Sequence, residues 1–182
     1  MKEKYPLINA KVEFTGKRMF LETRTFALGE EKHDVNVLNF WIPRSTAILP
    51  VTQKGRVLLE SHYRFGVRAE ILEIPAGWVE KGEDLADAAR RELLEETGFK
   101  ALKLKNLGSI FPAASYSAEE IFLFQAEIEE RTPNKQSLEK GELISLKFFS
   151  KESVQKMIKL GKIKDVMTIS AIYRSELLGF LD

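Results

Sequence analysis

The sequence predicts a mixed α/β fold built in layers, with strands crowded into the N-terminal part and helices placed centrally and at the C-terminus. Three observations carry this. Segments rich in β-branched and aromatic residues follow one another from residue 19 to residue 74 with no helical pattern between them. One well-delimited helix pattern comes next, between Asp84 and Gly98. Strand patterns then resume before two final helices, so the elements mix without the strict alternation of a doubly wound sheet.

Taken in order, strands are expected at about 19–28, Val35–Trp41, Thr46–Val51, Arg56–Glu60 and Ile71–Ile74. Pro75 and Gly77 break the chain. Asp84 suits an N-cap, the helix runs to Thr97, and Gly98 supplies the stop. Strands follow at about 103–111, Ile121–Glu127 and Leu143–Phe149. Ser150 caps a short helix ending near Gly161, and a last helix spans about Asp165 to Leu178. The polar stretch Glu129–Gly141, with Pro133 and Asn134, reads as a long loop of the kind that often carries function.

Composition narrows the function classes. The 182 residues are 44% hydrophobic, enough for a domain-sized core. The net charge of +1 comes without a basic block, which argues against nucleic acid as a partner. There is no cysteine, so disulfides, zinc–thiolate centres and cysteine nucleophiles are excluded. The start of the chain shows no apolar targeting segment, and no run approaches the ~20 apolar residues that cross a bilayer. A cytoplasmic protein without membrane contact is expected.

The chemistry concentrates in Leu72–Lys100, LEIPAGWVEKGEDLADAARRELLEETGFK. On a helical wheel Leu85, Ala89 and Leu93 form an apolar stripe. Glu92, Glu95 and Glu96 fall beside or within that stripe, whereas Asp87 and Arg90 lie opposite. A merely solvated face would put its acids away from the core. Like charges gathered at the edge of a buried face call for a neutralising cation, and oxygen ligands without Cys or His suit Mg²⁺ or Mn²⁺. The turn at Pro75-Ala76-Gly77 can aim a carbonyl oxygen at the same cluster, which makes Ala76 a candidate ligand. Such ions polarise phosphoryl oxygens, so metal-assisted phosphoryl chemistry is expected, with the substrate left open.

Gly77, five residues, Glu83, seven residues, Arg91-Glu92-Leu93, one residue, Glu95-Glu96, one residue and Gly98-Phe99 resemble the signature box of the Nudix hydrolases. Phe99 stands where that box prefers an aliphatic residue. Tyr63-Arg64, Leu72–Gly77, Ser115–Glu120 and Gly141-Glu142-Leu143 are similar to the ADP-ribose and nucleoside diphosphate sugar pyrophosphatase branch. The likeness covers roughly residues 44–175. It departs at Ala114-Ser115, where the branch usually has Pro-Gly, with Pro112 displaced two residues earlier.

The resemblance implies a Nudix fold, a mixed β-sheet sandwiched between helices (α-β-α), over residues 44–182, with 1–43 as an N-terminal β segment for dimerisation. It implies Mg²⁺-dependent hydrolysis, Mn²⁺ being an alternative, of ADP-ribose or another nucleoside diphosphate sugar to a nucleoside monophosphate and a sugar phosphate. Competing readings are a Nudix hydrolase of nucleoside triphosphates or capped RNA, and a non-catalytic nucleotide-sensing module. Expected metal ligands are Ala76, Glu92, Glu95 and Glu96, with Glu95 also catalytic. Glu142 is the expected base, because a mobile loop can deliver a further carboxylate after substrate binds; Glu139 is its rival. Arg44, Tyr63, Arg64 and Glu73 are expected at the substrate, and Gly77, Glu83, Arg91 and Gly98 in structural roles. Phe40 and Trp41 read as core or interface residues, which together with the branch's habit of pairing suggests a homodimer. Glu119 and Glu120 read as ordinary polar residues, and His33 and His62 as surface histidines.

Overall fold

A computed structural model describes residues 4–130 and 133–181; Met1–Glu3, Arg131 and Thr132 of the long loop, and Asp182 lie outside the described residues. The element order is β1(Leu7–Thr15), β2(Met19–Leu28), β3(Glu31–Phe40), β4(Arg44–Thr52), β5(Arg56–Arg64), β6(Ala69–Glu73), β7(Ala76–Trp78), α1(Leu85–Thr97), β8(Lys103–Ile110), β9(Glu120–Ile128), β10(Ile144–Ser150), α2(Lys151–Lys159) and α3(Val166–Leu177).

The chain forms two compact units. The first runs up to Arg44 and includes Phe111–Glu120. It is therefore not continuous in sequence, unlike the 1–43 and 44–182 division read above. Strands β1, β2 and β3 make an antiparallel sheet in that order. All nine residues of β1 are exposed. That strand is held by its ladder to β2 and not by burial of its own side chains, although Ile8, Ala10, Val12 and Phe14 alternate with Asn9, Lys11 and Glu13 as in a strand. The returning segment is tied in by Leu38 N–H donating to Tyr116 O at 2.7 Å and Glu120 N–H to Pro43 O at 3.0 Å.

The second unit is built on a seven-stranded sheet with the path β10-β5-β4-β9-β8, β6 pairing with β5 and β7 with β4. Alternation along the central strands sorts side chains to two faces. Ala47, Leu49, Val51, Val57 and Leu59 pack with Val154, Ile163, Ala171 and Ile172 from the C-terminal helical region. Ile48 and Leu58 point the other way, onto Ala89 and Leu93 of α1. The sheet is thus covered on both faces, giving the expected α-β-α layering. Phe99, the departure from the aliphatic preference, is 2% exposed and meets Phe148 edge-on at 5.7 Å. The core accommodates the larger ring there.

Candidate active site

Helix α1 starts where Asp84 accepts a hydrogen bond from Ala86 N–H, and it stops at Gly98 in the left-handed conformation, φ 72°. Ala89 and Leu93 anchor it on the sheet. This sets the depth of each box glutamate. Glu96 is buried, the Glu92 side chain is 13% exposed, and Glu95 at 42% sits on the rim. The wheel placed all three near the apolar edge but could not grade them.

Arg91 organises the outer part. Its guanidinium forms a two-pronged pair with Glu83, 2.9 Å on each arm, and also reaches Glu92 at 2.7 Å, Glu95 at 3.1 Å and the carbonyl of Trp78 at 2.8 Å. Glu83, through its bonds to Arg91, is held below the ordinary carboxylate range. Gly77 faces Glu92 so closely that a Cβ there would lie 2.1–2.3 Å from its carboxylate. A side chain at this position would force the Glu92 carboxylate to move. The segment around it is a short strand, β7, with Ala76 opposite Ala47 of β4, where the sequence suggested only a sharp turn. Ala76 turns its N–H to Glu96, at 2.8 Å from Oε2.

A second set of charged residues faces α1 from the sheet. Leu58 points to the α1 side, so Glu60, His62 and Arg64, at steps of two along β5, share that face. Glu73 of β6 is the register partner of Glu60, and directly opposed residues share a face. Glu60 is 0% exposed, Glu73 2% and His62 5%. Arg64 donates to Glu73 Oε1 from Nε at 2.8 Å, and its Nη2 lies at 2.7 Å. Both oxygens of Glu60 and Nδ1 of His62 are buried without a hydrogen-bond partner. His62 Nδ1 is 3.2 Å from Glu73 Oε1 but out of line for a hydrogen bond.

Electrostatics follow from this crowding. Burial, reinforced by Glu73, pushes Glu60 up to about 8. Burial, with Glu60 and Glu92 adding repulsion, pushes Glu96 up to about 10. Glu73 rises to about 7 because burial outweighs the attraction of Arg64, and Glu92 also rises through burial, partly offset by Arg91. Burial, then the Arg64 charge, lowers His62 to about 4. The imidazole is therefore neutral at pH 7.

The long loop is fastened to the end of α1. Asn134 N–H donates to Gly98 O at 3.0 Å, Gln136 Nε2 to Glu96 O at 2.5 Å, and Ser137 N–H to Glu95 O at 2.8 Å. These bonds satisfy carbonyls that a helix end leaves open. The loop then closes a turn in which Glu142 Oε2 accepts from Glu139 N–H at 2.7 Å. Glu142 is half-buried and Glu139 exposed. The Glu142 charge bears on Glu60, Glu92 and Glu96.

The structure thus brings Glu92, Glu96, Glu60, Glu73, Arg64 and Glu142 into one electrostatic neighbourhood, with Glu95 and Arg91 at its edge. Tyr63 points to the opposite face of β5 and stacks edge-on with Phe65 at 5.1 Å. Arg44 is exposed and belongs to the other unit. His62 is a buried histidine, not a surface one, because it shares the inward parity of Glu60 and Arg64. Glu60 escaped notice altogether. The available signal was an acid at an inward step of the otherwise apolar strand Arg56-Val57-Leu58-Leu59-Glu60. The donor set fits a divalent cation: buried Glu96 and half-buried Glu92 stand beside Glu60 and Glu95, and the one Arg91 guanidinium is shared among Glu83, Glu92 and Glu95.

The chain was compared with known proteins. A family model described as NUDIX domain matches residues 41–168. An ADP-ribose pyrophosphatase of Bacillus subtilis (strain 168) is 32% identical over 130 residues, 71% of this chain and 70% of that protein. A methanol dehydrogenase activator of Bacillus methanolicus is 31% identical over the same shares. The crystal structure of an ADP compounds hydrolase superposes with a TM-score of 0.83 at 18% identity, covering 97% of this chain and 94% of that one, a likeness of fold.

Proposed function

Because the chain belongs to the NUDIX family, we propose that it hydrolyses the pyrophosphate bond of nucleoside diphosphate sugars, with ADP-ribose as the leading substrate. Water adds across the P–O–P bridge, and ADP-ribose yields AMP and ribose 5-phosphate. The observation that carries this reading is the pair of box carboxylates, buried Glu96 and half-buried Glu92, the latter set against Gly77, where a Cβ would crowd it. The similarity to an ADP-ribose pyrophosphatase over 71% of the chain selects the substrate class.

Nudix hydrolases require a divalent cation, and Mg²⁺ is the ion we assign here, Mn²⁺ being able to replace it. Glu92, Glu96 and the rim carboxylate Glu95 would hold it, together with the backbone at Ala76. When bound, the ion supplies charge neutralisation at the pyrophosphate oxygens. Arg91 and Glu83 keep the box glutamates in place. Arg64 is oriented by Glu73 with part of its guanidinium still exposed, 40%, and that exposed part suits a phosphate oxygen. Glu142 takes the proton from the attacking water, its loop being anchored to α1. The exposed β1 strand and the half-buried Phe40 beside exposed Trp41 favour a homodimer, and absence of cysteine accords with a cytoplasmic location.

The test is a panel of nucleoside diphosphate sugars, nucleoside triphosphates and capped RNA, assayed with Mg²⁺ by phosphate release after phosphatase coupling. Turnover of ADP-ribose to AMP is expected. Turnover confined to triphosphates or caps transfers the assignment to those substrates, and binding without turnover transfers it to a nucleotide-sensing module.

A further inference from the structure

Glu60, His62 and Glu73 each offer a ligand atom, and the three atoms lie within 4.8 Å of one another; among the described residues this is the trio of acids and histidine that comes so close. Glu92, Glu95 and Glu96 do not form such a trio. The three residues sit on rigid elements. Glu60 and His62 are two steps apart on β5, and Glu73 is paired to Glu60 across the ladder. Both Glu60 oxygens and His62 Nδ1 are buried without hydrogen-bond partners. An uncompensated buried carboxylate costs several kcal/mol on the order of an ion's effective desolvation penalty, so a fold that keeps one commonly does so for a ligand. The Arg64 contacts both fall on Glu73 Oε1, so Arg64 makes no hydrogen bond to Glu60.

We propose that Glu60, His62 and Glu73 form a second divalent-cation site, distinct from the box glutamates and suited to a first-row transition ion. One imidazole nitrogen with two carboxylates favours Mn²⁺, Fe²⁺, Co²⁺ or Zn²⁺ over Mg²⁺, which takes oxygen ligands and keeps its waters. Ligands bonded at about 2.0–2.2 Å to one ion at tetrahedral angles stand roughly 3.3–3.6 Å apart. From a spacing of at most 4.8 Å, side-chain shifts of roughly 1 Å close the cluster. An ion here would also fix Glu73, and through it the orientation of Arg64. The proposal stands on this cluster alone and does not depend on the hydrolytic reading.

His33 and His62 are the two histidines of the chain, so nitrogen NMR of ¹⁵N-histidine-labelled full-length protein reports on the site directly, with exposed His33 as internal control. Chelator-treated protein is saturated with Mg²⁺ to occupy the box and then titrated with Zn²⁺. One equivalent should move the His62 Nδ1 resonance and leave His33 unchanged, and the same response should persist in Glu92→Gln. In Glu60→Gln the Zn²⁺ concentration needed should rise at least about 10-fold, as loss of a ligand demands. A His62 resonance that stays put at one equivalent, or moves at the same Zn²⁺ concentration in Glu60→Gln, overturns the proposal. So does a response abolished by Glu92→Gln, which would assign the ion to the box. Should Glu60→Gln fail to fold, the wild-type and Glu92→Gln titrations decide. Because the readout is ion binding at one nitrogen, its failure is separable from any failure to find hydrolysis.

Discussion

Replacing Gly77 by alanine should separate catalysis from folding. The added Cβ would stand 2.1 Å from the Glu92 carboxyl carbon, whereas ordinary contact begins at 3.4 Å, so the carboxylate must retreat by about 1.3 Å. It has room to yield, being the far end of a flexible side chain, but doing so strains its 2.7 Å bond to Arg91. A displacement of roughly 1 Å at a reacting centre costs about 10²-fold in rate, so kcat in saturating Mg²⁺ should fall by about that factor. The fold should lose little: the glycine is in extended pairing with β4, and a cost of ~1 kcal/mol lowers Tm by only about 2–4 °C at this size. Gly98→Ala is the contrast. There φ is +72° and the Cβ would meet the backbone carbonyl of Asn134 at 2.1 Å, which has no flexible end to move. Its Tm should fall further than that of Gly77→Ala. Steady-state kinetics and thermal melts of the two variants suffice. Near-wild-type kcat in Gly77→Ala, or a Tm loss equal to that of Gly98→Ala, would refute the reasoning.

Glu142→Gln should lower kcat by about 10²–10⁴-fold with substrate Kd nearly unchanged, while Glu139→Gln stays within a few-fold; the reverse pattern moves the base to Glu139. The metal-free protein should lose stability as pH rises, because Glu60, Glu73 and Glu96 have folded-state pKa values raised to about 8, 7 and 10 from 4.5. Their contribution is complete below about pH 4.5 and lost as pH climbs through 7–10, so melts at about pH 6 and 9 should differ, with Mg²⁺ restoring more at the higher pH; a flat profile contradicts the burial argument. Light scattering of fully active protein at micromolar concentration should give twice the chain mass, and a monomer would discount the N-terminal sheet as an interface.

Helix α1 was legible because its signals are local: a capping aspartate, a 3.6-residue apolar stripe, a stop glycine and box residues at set intervals. The same holds for the strands that bury apolar side chains. Strand β1 was legible in the alternation of Ile8, Ala10, Val12 and Phe14 with Asn9, Lys11 and Glu13 but was not among the strands expected, and that its nine residues all stay exposed could not be seen without the fold. Likewise β7 exists because β4 pairs with it, although Pro75 and Gly77 read as a break.

By itself the sequence determined which residue types stand at which helical spacing, and hence the family, the reaction class and the glutamates that belong together. Tertiary structure decided how deep each one lies. Packing of Ala89 and Leu93 on the sheet buries Glu96, leaves Glu95 on the rim and brings α1 over β5. Only that superposition sets Glu60 and His62, more than thirty residues away in sequence from Glu96, against the same face as Glu73. Charge burial and pKa depend on distances through space, which the pairing register and helix docking create and no local pattern encodes.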